Sequence, residues 1–367
     1  MEKKSNIKIT IFIGNLAIGG AERVAINLSK GFSDLGYDVD MVLLNRQGKM
    51  VEDIPNRVNT VDLGVERARW SLQSLVRYIH STKPDTIISI MTQANILSII
   101  ANKIAGDPAV TLVTEHTTLS KKNSLTAKRD RILAQITYKY ADHIVGVSKG
   151  TTKDVCKWAN LPQTEVKTIY NPVFEKEFIG KDYDQPAHPW FRNENVSTIM
   201  SAGRHVEQKD YTTLIKSFAK LPPEHNARLV LLGEGELTEK YKDLADQLGV
   251  SEHIWMPGFI KDPFDYMYHS DLFVLSSKIE GLSLVLIEAL GTGTPVVSTD
   301  CPYGPSEVLD GGTYGTLVPV GDEIALANAI SNSLKNSENY ARLHERATEF
   351  TIERAVQKYE ELLKECL

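Results

Sequence analysis

Two successive series of short apolar segments, each alternating with amphipathic stretches, constrain the fold of this chain more than any other feature. In the first series, the predicted strands are residues 7–13, 38–44, 86–90, 110–115 and 143–148. In the second series, they are residues 198–203, 228–233, 253–258, 271–277, 295–299 and 315–320. Strands that alternate with helices are typical of parallel sheets covered by helices. The sequence therefore predicts an α/β protein with two Rossmann-like, doubly wound domains.

An irregular stretch at residues 174–195 separates the two series and contains prolines and several charged residues. This composition is typical of a linker. We therefore predict an N-terminal domain at residues 1–173 and a second domain at residues 196–345. Residues 346–367 are predicted to form a helix with one apolar face. That helix either caps the second domain or crosses back onto the first, and its residues are compatible with both placements.

The composition restricts the class of protein. A hydrophobic content of 42% and a charged content of 24% are ordinary for a globular protein, and 367 residues suffice for two cores. The three cysteines are far apart, which argues against a disulfide framework and a zinc site. The first residues lack the apolar core of a signal peptide, and the longest apolar run is interrupted by Asn102 and Lys103. We expect a cytoplasmic protein.

Charge is distributed unevenly between the two halves. Residues 1–172 contain 23 Lys and Arg against 16 Asp and Glu, whereas residues 173–367 contain 18 against 31. Two helix-like stretches hold much of the basic excess: Arg67, Arg69, Trp70 and Arg77 in one, and Lys121, Lys122, Lys128, Arg129, Arg131 and Lys139 in the other. The pattern is compatible with solvated helix faces. It is equally compatible with contact to an anionic membrane surface or a phosphate-bearing acceptor.

Three loops that follow predicted strands carry candidate binding residues, because ligands of open parallel sheets bind beyond the carboxyl ends of the strands. The first loop is GNLAIGGAER, in which Gly19 and Gly20 open a helix. Free amides and the helix dipole favour an anion at such a position. The loop matches neither GxGxxG nor the P-loop, which argues against a dinucleotide or ATP. A tight strand-to-helix turn is the alternative interpretation.

The second loop, SAGRHVEQKDY, contains Arg204 and Lys209. Two cations five residues apart can converge on a diphosphate, the arginine as a planar fork and the lysine as a point charge. Cations in isolation are usually surface charges. Their position between a strand and a helix favours a binding function.

The third loop contains Glu280, and Glu288 follows one turn into the next predicted helix. The residues between them can present helix amides to a phosphate, and the two carboxylates can accept hydrogen bonds from sugar hydroxyls. Two acids eight residues apart mean little without their context. Here the context is supplied by Gly281, Ser283, Leu284 and the turn at residues 291–295.

These motifs carry a resemblance that covers nearly the whole chain. GGAER, the GR…K loop and EGLSLVLIEALGTGTPVVST are similar to the family-4 retaining glycosyltransferases of GT-B fold. CPYGPSEVL at residues 301–309 resembles a bacterial subgroup that extends lipid-linked oligosaccharides or surface polysaccharides, often from UDP-sugars. Typical members have a Phe-Gly pair where this chain has Leu282 and Ser283, which bears on the identity of the donor sugar. The resemblance implies two domains that face each other across a cleft, a final helix that crosses back, and a front-face, retaining mechanism without metal.

The resemblance also implies roles for individual residues. Arg204 and Lys209 hold the donor diphosphate and stabilise the leaving group. Glu280 contacts the transferred sugar and Glu288 the ribose. The catalytic candidates are thus Arg204, Lys209, Glu280 and His116. Gly258–Ile260 lie where the family reads the base, and Glu115 lies beside His116, which the family places near the sugar and the acceptor. The substrate-binding candidates are Gly19, Gly20, Glu115, Gly258, Phe259, Ile260, Gly281, Leu282, Ser283, Leu284 and Glu288.

Two Asp-x-Asp pairs match the pattern of metal-dependent transferases: Asp38 with Asp40, and Asp182 with Asp184. The first lies at the start of a predicted strand and the second in the predicted linker, without further ligands nearby. We therefore expect no metal and no cofactor other than a nucleotide-sugar co-substrate, with UDP as its nucleotide. The expected partners are that donor and a glycan or polyprenyl-phosphate-linked acceptor, with peripheral attachment to the inner membrane face as an option. No nucleic-acid partner is expected.

Other functions are compatible with two Rossmann-like domains. Another GT-B enzyme would be recognised by its reaction, since a sugar-nucleotide epimerase needs no acceptor and a phosphorylase uses free phosphate. A two-lobed solute-binding protein, or a non-catalytic sugar-binding protein, is disfavoured by the paired cationic loop. A dehydrogenase requires a nicotinamide fingerprint, and Gly233-Glu-Gly235 is only a fragment of one.

Overall fold

The computed structural model describes residues 4–17, 19–65, 68–121, 124–336 and 340–366. The chain divides into two compact units, the first formed by Met1–Phe174 together with Phe350–Leu367, and the second by Glu175–Glu349. Residues 175–195, predicted as a linker, are therefore part of the second unit.

The described residues of the first unit form a parallel sheet of seven strands with helices between them. The strands are β1 (Lys8–Ile13), β2 (Asp38–Leu43), β3 (Asn59–Asp62), β4 (Thr86–Ile90), β5 (Val110–Glu115), β6 (His143–Gly146) and β7 (Val166–Thr168). The helices are α1 (Gly20–Asp34), α2 (Ala68–Thr82), α3 (Thr92–Ile104), α4 (Leu125–Thr137) and α5 (Lys149–Ala159). The strand order is β3-β2-β1-β4-β5-β6-β7, which places β1 and β4 at the centre.

The core of the first unit explains why these segments are strands and helices. Five of the six residues of β1 and all five of β4 are buried, as expected for strands covered on both faces. In α1, Val24, Leu28 and Phe32 are fully buried on one face. These side chains form the apolar face with which α1 packs into the core.

The second unit repeats this architecture with six parallel strands in its described residues. The strands are β8 (Ser197–Ala202), β9 (Ala227–Leu232), β10 (Ile254–Gly258), β11 (Leu272–Leu275), β12 (Val296–Thr299) and β13 (Thr316–Val318). The helices are α6 (Tyr211–Phe218), α7 (Thr238–Gln247), α8 (Phe264–Tyr268), α9 (Leu284–Thr292), α10 (Pro305–Val308), α11 (Glu323–Lys335) and α12 (Tyr340–Ala347). The strand order is β10-β9-β8-β11-β12-β13. The predicted α/β class with two Rossmann-like domains is confirmed.

The last helix, α13 (Ile352–Leu363), packs within the first unit against α1. The Ile352 amide donates to the Phe174 carbonyl at 2.9 Å, and Tyr359 meets Phe32 edge to face with ring centroids 6.4 Å apart. A Cβ on Gly31 would lie 2.6 Å from a methyl group of Val356, so this glycine permits the close approach of the two helices. Among the described helices, none combines the length and apolar character needed to cross a membrane.

Candidate active site

Glycines end three adjacent strands of the second sheet at its carboxyl edge. Gly203 after β8, Gly233 after β9 and Gly258 at the end of β10 have φ values of 153°, 118° and 88°. The Gly203 amide donates to the Leu232 carbonyl at 2.9 Å, and the Gly233 amide donates to the Gly258 carbonyl at 2.8 Å. A Cβ on Gly233 would lie only 2.0 Å from the Gly203 carbonyl oxygen. The edge is therefore closely packed, and Arg204 and Phe259 each follow one of these glycines.

Lys209 and Glu280 form an ion pair at this edge. The Lys209 Nζ lies 2.8 Å from the Glu280 Oε1, and the Ser277 hydroxyl donates to the same carboxylate oxygen at 2.7 Å. The side chains of Lys209 and Glu280 are only 15% and 10% exposed. Such shielding strengthens their electrostatic interaction relative to a surface pair. The structure thus brings together two residues that the sequence predicts at one site.

Further hydrogen bonds fix the two loops that carry this pair. The Ser276 hydroxyl donates to the Lys209 carbonyl at 2.8 Å, and the Gln208 side-chain amide donates to the Ile279 carbonyl at 2.8 Å. Sequence reasoning did not assign Ser276 or Ser277 to the site. Their position at the carboxyl end of a predicted strand, where the sheet binds ligands, was the available signal.

Arg204 differs from Lys209 in its surroundings. Its side chain is exposed, and within the described chain it makes no hydrogen bond or ion pair. His205 follows it and is inaccessible to solvent, with Nδ1 2.9 Å from the Thr238 hydroxyl. Burial lowers the pKa of His205 to about 4, with a small opposing effect of Glu234. A neutral, buried histidine therefore anchors the loop from which Arg204 extends into solvent.

Helix α9 begins at this edge, directly after Ser283. The Ser283 hydroxyl is buried and has no hydrogen-bond partner among the described residues. The first amides of a helix lack partners within the helix, and its dipole favours an anion. Gly281 and Leu282 precede Ser283, and Leu284 is the first helical residue. Phosphate oxygens suit such a helix N-terminus.

Glu288 lies in the second turn of α9 and is 2% exposed. Glu280, which lies in a loop, is 8% exposed and thus slightly more accessible than Glu288. A ligand that contacts both carboxylates must therefore bind between the loops at the carboxyl edge of the sheet. Phe259, which follows Gly258, is 40% exposed, and Ile260 is half-buried. An exposed aromatic ring next to a tight turn offers a flat surface for a base.

In the first unit, the predicted glycines lie at the N-terminus of α1. Gly20 is the first residue of the helix, and Gly19 precedes it with an extended backbone. A Cβ on Gly19 would lie 2.4 Å from a carboxylate oxygen of Glu22, the far end of a flexible side chain. Both glycines therefore lie after β1, at the position where the sequence predicts an anion.

Glu115, a predicted substrate-binding residue, is buried and hydrogen-bonded within the first unit. The residue ends β5 and is 1% exposed. Its carboxylate accepts hydrogen bonds from the Thr92 hydroxyl at 2.9 Å, from the Asn95 amide at 3.4 Å and from the Tyr138 hydroxyl. Both carboxylate oxygens of Glu115 therefore have hydrogen-bond partners within the first unit.

His116 is half-buried, and its Nε2 lies 2.9 Å from the Thr114 hydroxyl. That hydroxyl donates its only proton to the Ser89 carbonyl at 2.9 Å, so it must accept from His116. Loss of hydration lowers the pKa of His116 to about 3. His116 is therefore neutral near pH 7, with its proton on Nε2 and a lone pair on Nδ1 that can accept a hydrogen bond.

Neither Asp-x-Asp pair is arranged like a metal site. Asp40 is 2% exposed and accepts hydrogen bonds from the Tyr78 hydroxyl at 2.7 Å and the Asn59 amide at 2.9 Å. Asp182 accepts a hydrogen bond from the Tyr268 hydroxyl at 2.9 Å. Within the described ranges, no group of three or more His, Cys, Asp or Glu side chains is placed to hold a metal ion.

The chain matches known proteins along most of its length. The family model described as Glycosyl transferases group 1 matches residues 185–350, and the model described as Glycosyltransferase Family 4 matches residues 18–176. The crystal structure of Anabaena HepE in complex with UDP-glucose has a TM-score of 0.82 and 20% sequence identity, with 98% of this chain and 100% of that chain covered. The two family models and this fold together define a glycosyltransferase of the GT-B class. Within that class, the chain belongs to the family-4 glycosyltransferases.

Two relatives illustrate the range of the family. An uncharacterized glycosyltransferase of Methanocaldococcus jannaschii is 31% identical over 245 residues, which are 64% of this chain and 60% of that protein. The chain thus spans about three fifths of that relative. A Campylobacter jejuni protein is 27% identical over 348 residues, covering 90% of this chain and 91% of its own length. It is named as an N-acetylgalactosamine-N,N'-diacetylbacillosaminyl-diphospho-undecaprenol 4-alpha-N-acetylgalactosaminyltransferase.

Proposed function

We propose that this chain is a retaining, metal-independent glycosyltransferase that moves a hexose or N-acetylhexosamine from a UDP-sugar to a lipid-linked or glycan acceptor in cell-surface glycan assembly. The observation that carries this proposal is the shielded pair of Lys209 and Glu280, 2.8 Å apart, on loops at the edge where α9 begins. A cation, a carboxylate and helix amides together match a diphosphate joined to a polyhydroxylated sugar.

The donor roles follow from burial and charge. The exposed guanidinium of Arg204 and the first amides of α9 contact the diphosphate, because both offer donors to anionic oxygens. Lys209 approaches the same group while its ammonium stays paired with the Glu280 carboxylate. Glu280 then accepts hydrogen bonds from hydroxyls of the transferred sugar, and the deeper Glu288 accepts from the ribose. Phe259 supports the base.

The reaction is mainly electrostatic in this proposal. The bond between the anomeric carbon and the leaving diphosphate breaks while the acceptor oxygen bonds to the same face of that carbon. The acceptor proton passes to a phosphate oxygen of the leaving group. Arg204 and Lys209 stabilise the negative charge that develops on the diphosphate. In the first unit, we assign the Nδ1 of neutral His116 to a substrate hydroxyl and the N-terminus of α1 to an anionic group.

Two comparisons support the choice of donor and acceptor. HepE is crystallised with UDP-glucose, and the name of the Campylobacter relative specifies a lipid-linked diphosphate acceptor. The first half of the chain is rich in Lys and Arg, which suits an acceptor that bears phosphate. We therefore propose that the enzyme works peripherally at the inner face of the plasma membrane, where such an acceptor is presented.

Thermal-shift measurements with UDP, GDP, ADP and their sugars test the donor assignment. A ligand that binds the native state raises the melting temperature by mass action, and we expect the rise for UDP and its sugars. The matched variant is Arg204→Ala, in which the rise should be reduced. NMR of the product then gives the configuration of the new glycosidic bond. Inversion, or a melting temperature that responds to none of these nucleotides, contradicts the proposal.

A further inference from the structure

One helix of the first unit points a line of apolar side chains at solvent. The buried face of α4 consists of Ala127, Asp130, Ala134 and Thr137. On the opposite face, Leu125 is 84% exposed, Ile132 59% and Ile136 55%. Spacings of seven and four residues place these three side chains on one line along the helix. We call Leu125, Ile132 and Ile136 the α4 ridge. A helix on the surface of a domain normally has polar residues at these positions.

Basic side chains flank the α4 ridge. Lys128 and Lys139 are exposed and Arg131 is half-buried, whereas the only acid between residues 125 and 140, Asp130, is buried. Asp130 is also paired, with an Arg129 nitrogen 2.7 Å from its carboxylate. Tyr140 is 51% exposed, and the Lys139 Nζ lies over its ring, 5.0 Å from the ring centroid. The outward face of α4 is thus apolar and positively charged, without an exposed negative charge.

We propose that the α4 ridge and its basic flanks dock parallel to the surface of an anionic membrane, with the ridge inserted at the boundary between head groups and acyl chains. An apolar face flanked by Lys and Arg is the pattern of an interfacial helix. At 13 residues, α4 is too short to span a bilayer. The docking surface deepens the proposed function, because it supplies the contact with the membrane on which a lipid-linked acceptor resides.

Charge selects the membrane over a second copy of this chain as the partner. Two copies that paired through the α4 ridge would bring Lys128, Arg131 and Lys139 of each near the same side chains of the other. Like charges in such contact oppose association. An anionic lipid surface neutralises the same residues, and each basic residue near it adds to the attraction.

Co-sedimentation with phosphatidylcholine vesicles, with or without phosphatidylglycerol, tests the proposal. We expect binding that requires phosphatidylglycerol and is only partly lost when salt rises from about 0.15 M to about 1 M, which shortens the Debye length from about 8 Å to about 3 Å. The part that resists salt comes from the apolar ridge. In the triple variant Leu125→Ser, Ile132→Ser, Ile136→Ser, the partition coefficient should fall by about tenfold or more, and salt should remove the rest.

The chain offers matched controls for this variant. Ile104 at the end of α3 and Ile324 in α11 are 60% and 63% exposed, and Ile104→Ser and Ile324→Ser should bind vesicles like the wild type. For the basic flanks, Lys128→Gln, Arg131→Gln, Lys139→Gln should abolish the dependence on phosphatidylglycerol, whereas Lys216→Gln, Lys220→Gln in the second unit should not. Sedimentation of the triple serine variant like the wild type would overturn the proposal.

Two further measurements separate this inference from its rivals and from the proposed function. Analytical ultracentrifugation without lipid detects self-association, and a wild-type dimer that the serine substitutions dissociate would assign the ridge to a second copy and overturn membrane docking. The melting temperature with UDP-sugar reports donor binding, which the serine variant should retain. If UDP-sugar does not raise the melting temperature of the wild type, the proposed function is refuted. If the wild type responds to UDP-sugar but does not bind vesicles, only the docking surface is refuted.

Discussion

At the scale of single residues, Arg204 offers the cleanest test of the donor site. Its side chain is exposed and makes no hydrogen bond or ion pair within the described chain, so Arg204→Ala should leave stability unchanged. Loss of a charged donor to the leaving group should cost about 2–4 kcal/mol of transition-state stabilisation, roughly 30- to 1000-fold in rate. Steady-state transfer kinetics measure the loss, with exposed Arg192→Ala as the control. A rate within about twofold of wild type would remove Arg204 from the proposed mechanism.

Glu288 requires a different substitution because it is buried. Glu288 is 2% exposed within α9, so an alanine there would leave a cavity. A lower activity could then result from lost stability and not from a lost contact with the donor. Glu288→Gln keeps the volume but removes the charge, so we expect a donor KM raised by about tenfold or more, since a charged hydrogen bond contributes about 1.5–3 kcal/mol. The melting temperature of the unliganded variant is measured in parallel and separates any loss of stability from the loss of donor binding. Glu239→Gln on α7 is the exposed control. An unchanged KM would show that Glu288 does not contact the donor.

His205 makes stability depend on pH in a definite direction. Burial lowers its pKa from 6.5 to about 4 in the folded state. Between these values the unfolded chain binds a proton that the folded chain does not, so the free energy of unfolding falls as pH falls from 6.5 towards 4. One such group contributes a slope approaching about 1.4 kcal/mol per pH unit. Urea unfolding at pH 7, 6 and 5 gives the free energy of unfolding at each pH. This free energy should depend less steeply on pH in His205→Gln than in the wild type, and an equal pH dependence would contradict the lowered pKa of His205.

At the scale of elements, the glycine after β9 is a packing requirement. A Cβ on Gly233 would meet the Gly203 carbonyl oxygen at 2.0 Å, and its φ of 118° disfavours any other residue. Gly233→Ala should therefore destabilise the second unit by more than about 3 kcal/mol, because backbone strain and a clash with backbone add. Gly249→Ala is matched, since φ is 68° but nothing lies within 4 Å, and it should cost only about 1–2 kcal/mol. If urea unfolding shows that Gly233→Ala and Gly249→Ala lower the free energy of unfolding equally, packing against Gly203 does not explain the glycine at position 233.

The elements also show what the sequence could and could not predict. Central strands such as β1 and β4 were predictable because burial on both faces leaves a continuous apolar run. The edge strands β3 and β7 were missed, because Asn59–Asp62 and Val166–Thr168 are short and mostly accessible, so no apolar pattern marks them. The placement of the Lys209 and Glu280 loops at one edge followed from topology, which aligns the carboxyl ends of parallel strands, whereas their ion pair was not predicted. The hydrogen bonds to Glu115 did not follow from topology, because its partners come from elsewhere in the chain: Thr92 and Asn95 lie in α3, and Tyr138 follows α4.

At the scale of the whole molecule, the uneven charge of the two halves corresponds to a division of labour. The proposed donor residues lie in the acidic half, so local cations and helix amides must overcome a negative surrounding field to hold a diphosphate. The shielded position of Lys209 and the first turn of α9 serve this purpose, because fixed donors at low exposure interact more strongly than surface charges. In the proposed function, the basic half binds a phosphate-bearing acceptor and, through α4, the membrane.

Metal dependence is the last property that belongs to the whole chain. We predict that EDTA leaves transfer unchanged, because Arg204, Lys209 and the amides of α9 supply the positive charge that a metal ion would otherwise bring to the leaving diphosphate. The Asp-x-Asp pairs are not arranged as a metal site. Asp40 accepts hydrogen bonds from Tyr78 and Asn59, and Asp182 accepts one from Tyr268. Initial rates with EDTA, and after Mn²⁺ or Mg²⁺ is restored, should agree within error. A loss in EDTA that Mn²⁺ or Mg²⁺ specifically reverses would show that a divalent cation shares the work assigned to these residues.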